Sequence, residues 1–207
     1  MTAAPLKNLP LFVIENEAHR DVLLKVAEPV SFPLSSEDRT FIDTLKYMVS
    51  TALDKCVGLA APQVGVSKKI IVFQILEGTL LFRRDVEFLT PLTTFINPSY
   101  VPHEEEGKSL DWEPCYSIQT RMGKVWRYKT ITYKAQTEEG KLTEGIAHGF
   151  LARLLQHEID HLNGQLALDL FDPNSPHGLT EEMRPIRLKE VEDLAAAPKK
   201  NLPTKFL

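Results

Sequence analysis

The 207-residue sequence predicts an α+β fold built on one domain. Three observations carry this: short runs rich in Ile, Val and Phe, an alternating stretch that turns back at Glu139-Gly140 as antiparallel sheet does, and amphipathic helical spacing in three separate places. Hydrophobic residues make up 43% and charged residues 25%, which is ordinary for a globular chain and argues against disorder and collagen-like repeats.

Residues 1–18 mix Pro5 and Pro10 with polar residues and show no clear period, so they read as an irregular arm on the surface. Ser35 or Ser36 can cap a helix whose apolar positions Phe41, Leu45, Met48, Val49 and Leu53 recur at helical spacing. Gly58 to Gly65, GLAAPQVG, is small and apolar and reads as a tight loop feeding a buried strand from Lys69 to Leu76. Glu77 to Pro91 reads as a hairpin or inserted loop with no readable role.

Asn97-Pro98 is a turn signal, and Glu104 to Glu106 before Gly107 reads as a solvated loop. Lys124 to Ala135 alternates imperfectly, with Ile131, Tyr133 and Ala135 on one face, and Glu139-Gly140 turns it toward Leu142. Gly149 to Leu162 is the strongest helix, because Leu151, Leu154, Leu155, Glu158 and Leu162 share a face and Asn163-Gly164 supplies a stop. After the break at Pro173 to Pro176, Thr180 can cap a last helix from Glu181 to about Ala196, and the ending AAAPKKNLPTKFL reads as frayed.

Several function classes are disfavoured at this stage. The net charge is −4 and the charges are interspersed, so there is no electrostatic footprint for a specific nucleic acid. No run approaches the roughly 18 apolar residues that span a bilayer, and the first 20 residues lack a basic start followed by an apolar run, which argues against export and a membrane partner. Cys56 and Cys115 are too few for a disulfide framework, so a reducing cytoplasm fits best.

His157, Glu158 and His161 form H-E-x-x-H. Residues four apart lie one above the other on a helix, so both imidazoles can reach one metal ion, and the carboxylate between them can take a proton from the attacking water and hand it to a leaving nitrogen. Such a match can arise by chance on a surface helix. Here, however, Glu158 and His161 lie on or beside the apolar stripe, where an unpartnered ionisable group is costly to bury. A catalytic site of this kind needs a third ligand and an open position. Cys115, His148, His177 and several carboxylates are candidates. Cys115 stands out because it sits in the compact segment Glu113-Pro114-Cys115-Tyr116-Ser117. Gln63 is a candidate oxyanion donor, since the small residues around it suit close approach of backbone to a ligand.

The order GLAAPQ, E-x-C-x-S and QHEIDHLNG resembles the peptide deformylases, whose signature segments are G-x-G-x-A-A-x-Q, E-G-C-x-S and H-E-x-D-H. The resemblance runs from about Val22 to Phe171 and leaves out the tails and the segment around Glu77 to Pro91. It implies antiparallel sheets packed around a central helix that carries the metal motif, with the C-terminal helix beside them. The chain then divides into an arm at 1–18, a catalytic domain at 19–175, and a C-terminal helix and tail at 176–207.

The same resemblance implies removal of formyl from the N-terminal formylmethionine of new proteins in the bacterial cytoplasm. It implies one divalent metal, ferrous iron as the native ion with zinc, nickel or cobalt able to substitute, held by Cys115, His157 and His161. Glu158 is then the general acid/base, and Gln63 with the backbone N–H of Tyr116 binds the formyl oxygen. Asp160 supports the helix or a ligand. Backbone groups of Val57, Gly58 and Pro114 hold the substrate, with Glu113, Phe150, Arg153 and Leu154 near the methionine pocket. For Phe150 and Leu154 plain core packing is an equal reading, and Arg153 reads also as a solvated residue or a partner of Glu113. Expected partners are formylated nascent peptides and, transiently, the ribosome, with the protein a monomer.

Two positions depart from the pattern: Cys56 stands for the first glycine of the first motif, and Pro114 for the glycine before the ligand cysteine. Proline lacks the N–H and fixes φ near −65°, which stiffens or widens the groove, while Cys56 crowds the wall or offers a second thiol to oxidation. These departures keep two alternatives open. One is a deformylase-like protein with another N-acylated substrate or reduced activity. The other is a non-catalytic metal-binding module, which would need a fourth protein ligand such as Cys56 or His148.

Overall fold

In a computed structural model of the protein, which describes residues 8–53, 56–196 and 202–207, two antiparallel sheets enclose one helix. The larger sheet has the order β1-β2-β3-β6-β7, with β1 at Gly58–Ala60, β2 at Ile70–Ile75, β3 at Thr90–Pro102, β6 at Thr130–Gln136 and β7 at Leu142–His148. The smaller sheet has the order β4-β5-β8, with β4 at Lys108–Trp112, β5 at Arg121–Tyr128 and β8 at His177–Leu179. The helices are α1 at Glu17–Leu23, α2 at Ser36–Tyr47, α3 at Gly149–Leu162 and α4 at Thr180–Ala195.

Strand β2 explains its own composition. Ile71, Phe73 and Ile75 pack on the α3 side with Phe95, Ile131, Leu151 and Leu155, while Ile70 and Val72 pack on the α2 side with Ile42, Leu45, Met48 and Val49. A strand covered by a helix on both faces has no polar face, so its sequence runs continuously apolar. Helix α3 is buried on nearly all its circumference, because β5 of the smaller sheet also packs against it. The sequence expectation of a central metal helix between antiparallel sheets therefore holds, as does the Ser35 cap, whose hydroxyl accepts from Asp38 N at 3.0 Å.

Five local readings are corrected or narrowed. Lys124 to Ala135 is not one strand: it breaks at Lys129, so that β5 and β6 belong to different sheets. Asn97-Pro98 is not a turn but a bulge inside β3, with Asn97 at φ 51° and the register against β6 shifting between Ile96 and Ser99. The Asn97 side chain stabilises it by accepting from Val30 N at 2.8 Å and donating to Val30 O at 2.9 Å. Thr180 is the first residue of α4 rather than its cap, and its hydroxyl donates to Gln119 O at 2.9 Å. Of the two readings of Glu77 to Pro91, the inserted loop holds rather than the hairpin, with a 3₁₀ turn at Glu77–Leu81 and irregular chain before β3 begins. Within the ending that read as frayed, residues 202–207 are docked: Leu89 N donates to Pro203 O and Lys205 N to Leu89 O, each at 2.8 Å.

Strands β4 and β8 lacked a signal strong enough to predict. The arm at 1–18 is also less free than its composition suggests. Residues 1–7 lie outside the described residues, α1 begins at Glu17, and the stretch between is tied to the core. Phe12 N donates to Gln63 O at 2.7 Å and Ile14 N to Ser117 O at 3.0 Å, so this segment stitches together the two loops that carry Gln63 and Cys115. Gly65 permits the stitch, because it sits at φ 84° and a Cβ there would lie 2.5 Å from the Phe12 ring. No helix among the described residues is long and apolar enough to cross a membrane.

Candidate metal centre

Helix α3 presents His157 and His161 one turn apart, with ring centroids 5.0 Å apart and nearly perpendicular. The loop between β4 and β5 brings Cys115 against them, with Sγ 3.2 Å from His161 Nε2. One donor atom from each of the three lies within 4.8 Å of the others. Atoms bound about 2.0–2.3 Å from a shared ion stand roughly 3.3–3.8 Å apart in a tetrahedron, so this set fits a single divalent cation. A second observation agrees. Glu158 Oε2 is buried without any hydrogen-bond partner, a costly arrangement for a carboxylate unless something in the site engages it. Burial raises the Glu158 carboxyl to about 7, with nearby Glu113 pushing the same way and His157 opposing. A group in that range can both accept and return a proton near neutrality.

Among the described residues no fourth protein ligand joins the three. Cys56 donates to Gly58 O at 3.3 Å, and burial pushes its thiol up to about 12. Of the two readings of Cys56, this burial favours the one in which it packs against the wall, since the thiolate is the reactive form. His148 ends β7 and pairs with Thr130 Oγ1 at 3.0 Å. Among the described residues neither joins the cluster, so the closed site required by a non-catalytic module is not formed.

The orientation of His157 is set by a buried ion-pair chain that sequence reading found only in part. His157 Nδ1 lies 3.0 Å from Glu113 Oε2, which leaves the other ring nitrogen for the cluster. Glu113 receives two hydrogen bonds from Arg127, each 2.9 Å, and one of 2.6 Å from Arg153. Arg127 also binds Asp160 at 2.5 Å. Burial alone would raise the Glu113 carboxyl, but Arg127 and His157 hold it far below the usual carboxylate range. Both Glu113 oxygens are thus engaged, one of them orienting His157, and the residue also lines the cleft. Arg153 is its buried partner, not a solvated residue, and also donates to Val125 O and Ser109 O. Asp160 supports the helix through Arg127. Arg127 itself lies in an alternating strand, where only its charge among apolar neighbours could have marked it.

Gln63 occupies a 3₁₀ turn at Ala61–Val64. Its Oε1 accepts from Ala60 N at 2.9 Å, and its Nε2 faces Ser117 Oγ at 3.3 Å and Cys115 Sγ at 3.6 Å. The amide is thereby fixed with its donor end toward the ligands. Gly58 is small for a specific reason: a Cβ there would stand 2.5 Å from Glu158 Oε1. Every site residue anticipated from sequence except His161 lines one cleft of about 640 Å³, including Val57, Pro114, Tyr116, Phe150 and Leu154, and His161 lies just behind it. Phe150 and Leu154 are buried in the core and also face the cleft. The segment 77–91 gains a role here, because Asp85 O caps α3 by accepting from Phe150 N at 3.0 Å.

Comparison with known proteins agrees with this geometry. The family model described as polypeptide deformylase matches residues 13–177. Peptide deformylase 2 of Rickettsia conorii is 42% identical over 173 residues, covering 80% of this chain and 85% of its own. A peptide deformylase of Halothermothrix orenii is 40% identical over 150 residues, covering 70% and 89%. Among solved structures, a peptide deformylase from Legionella pneumophila superposes with TM-score 0.66 at 29% identity, covering 93% of this chain and all of that one. A Met-Ala-Ser-bound class I type b peptide deformylase from Acinetobacter baumannii does so with TM-score 0.64 at 28% identity, covering 81% and 100%. With the fold, the ligand cluster and the matched span in agreement, the chain belongs to the polypeptide deformylase family.

Proposed function

We propose an assignment of parts for the reaction of this family, in which the N-formyl group of a new protein's first methionine is hydrolysed to formate and a free amine. Cys115, His157 and His161 hold one divalent cation, ferrous iron in the cell, with zinc, nickel or cobalt able to take its place. When bound, that ion supplies Lewis-acid polarisation and makes water a stronger acid. Glu158 accepts the proton of the attacking water and returns it to the departing nitrogen. Gln63 Nε2 and the Tyr116 backbone N–H donate to the formyl oxygen as it gains charge, a contribution of several kcal/mol in such sites. Phe150 and Leu154 provide the apolar wall against which the methionine side chain rests, and backbone groups of Val57, Gly58 and Pro114 align the peptide.

The observation that carries this assignment is the orphaned, buried Glu158 Oε2 beside a Cys-His-His cluster. The Met-Ala-Ser seen on the Acinetobacter baumannii relative supports a short methionyl peptide as the ligand. The same reading has the enzyme act as a monomer in the bacterial cytoplasm on nascent chains, with transient contact to the ribosome, and takes 19–175 as the catalytic unit.

The test is formate release from formyl-Met-Ala-Ser, run anaerobically with iron-loaded protein. Glu158→Gln is expected to keep its metal and lose at least about 100-fold in turnover, whereas Cys115→Ser is expected to lose tight metal binding. Near-parental turnover by Glu158→Gln would remove Glu158 from its role.

A further inference from the structure

The cleft extends beyond the ligand cluster, and its far wall is made by residues outside the three motifs. Arg83 comes from the segment 77–91, and Arg184 and Arg187 come from α4, past the end of the family match at residue 177. Arg83 is only 6% exposed. One of its terminal nitrogens pairs with Asp111 and the other donates to Trp112 O, while its Nε is buried with no partner. Its guanidinium lies 5.0 Å from the centre of the Phe150 ring.

Arg184 and Arg187 have no carboxylate within 4.0 Å among the described residues, and Glu190 on the same helix is committed to Lys124 and to Trp112 Nε1. Burial lowers the pKa of Arg187, Arg83 and Arg184 lower it further, and Asp111 offsets this in part. Arg83 and Arg187 both lie within electrostatic reach of Asp111, and Arg184 stands beside them at a wall that also carries Phe82, Leu188 and Val191. Arg83 is buried and Arg187 half-buried, so their mutual repulsion is poorly screened by water and a bound anion offsets it.

The position of this cluster suggests what the anion is. The Arg83 guanidinium lies over Phe150, the ring assigned above to the methionine side chain, so the cluster borders the pocket of the first residue. An extended peptide advances roughly 3.3 Å per residue, which carries the side chain of the second or third residue along that border. We propose that Arg83, Arg184 and Arg187 form an anion subsite that takes an acidic side chain at the second or third residue of the formylated substrate. This rests on the deformylase assignment above and adds a preference among formylated chains: those with Glu or Asp close behind the initiating methionine are processed first.

The experiment compares kcat/KM of the iron-loaded full chain on matched peptides with amidated C-termini, so that the side chain is the only carboxylate. The pairs are formyl-Met-Glu-Ser against formyl-Met-Gln-Ser, and formyl-Met-Ala-Glu against formyl-Met-Ala-Gln. At one of the two positions the Glu peptide is expected to be favoured by about 10-fold, the factor matching a weak charge-assisted hydrogen bond. The gain should lie in KM and shrink as NaCl rises to about 0.5 M. In the Arg184→Gln/Arg187→Gln double variant, which removes the exposed and the half-buried cation of α4, the ratio should fall toward one with Tm close to parental. A ratio below about twofold at both positions in the parental enzyme, or a ratio that survives the double substitution, would overturn the subsite while turnover of the Gln peptides left the deformylase assignment standing. Competitive inhibition by inorganic phosphate without any Glu preference would give the cluster to a free anion and overturn the peptide reading. Absence of formate from every peptide would overturn both.

Discussion

Replacing Gly58 with alanine adds a single methyl group at the point where β1 passes the Glu158 carboxylate. The built Cβ stands 2.5 Å from Glu158 Oε1, 2.9 Å from its Cδ and 3.0 Å from Leu154 Cδ1, whereas ordinary contact begins at 3.4 Å. The shortfall is about 0.9 Å, and it can be relieved only by moving a buried carboxylate or the strand. The carboxylate is the softer partner, since its Oε2 has no hydrogen bond to hold it. Gly58 has no positive φ, so alanine brings no backbone strain of its own. Misplacing a reacting group by about 1 Å costs on the order of 100-fold in rate, or roughly 2.7 kcal/mol of barrier. Gly58→Ala should therefore lose about 10- to 100-fold in kcat on formyl-Met-Ala-Ser, with metal content and Tm close to parental. Steady-state formate release, metal analysis and thermal unfolding on the same preparation measure all three. A near-parental kcat would refute the idea that Gly58 is small to admit Glu158, and a large fall in Tm with kcat intact would show that the strand yields instead.

Two further predictions concern the groups around the centre. Arg127→Met should destabilise the protein by about 3–5 kcal/mol, because Asp160 loses its cation while buried and Glu113 loses the bidentate partner; it should also weaken metal binding about 10- to 100-fold as His157 loses its fixed support. Parental stability by denaturant titration, together with parental metal affinity, would remove Arg127 from that chain. Cys56 should resist alkylation in the native protein, since a thiol raised from 9.0 to about 12 exposes roughly 1000-fold less thiolate near pH 8. Iodoacetamide labelling of native Cys56 at the rate seen in urea would contradict that.

The chemistry of the centre was legible in the sequence because it is written in local periods. Four-residue spacing places His157 and His161 on one helix face, and an unbroken apolar run identifies β2, since these patterns depend on neighbours a turn or a pleat away. The order of the three motifs then selects Cys115 and Gln63. What sequence could not reveal is set by pairing across distance. Asn97-Pro98 is equally good as a turn or a bulge, and only registration of β3 against β6, with Val30 held by Asn97, decides it. A continuous alternation from Lys124 to Ala135 hides the break at Lys129, because a pleat repeats identically in either sheet.

Charge shows the division most clearly. A net charge of −4 spread evenly along the chain says nothing of Arg127 meeting Glu113 and Asp160, which lie 14 and 33 residues away. Nor does it show Arg83 facing Arg184 and Arg187 from the other end of the chain. Electrostatic energy depends on distance in space and on exclusion of water, and both are fixed only where the segment 77–91 and α4 meet at the cleft. The sequence by itself determined the family and the candidate ligands; the tertiary structure decided how those side chains are held and which charges line the cleft.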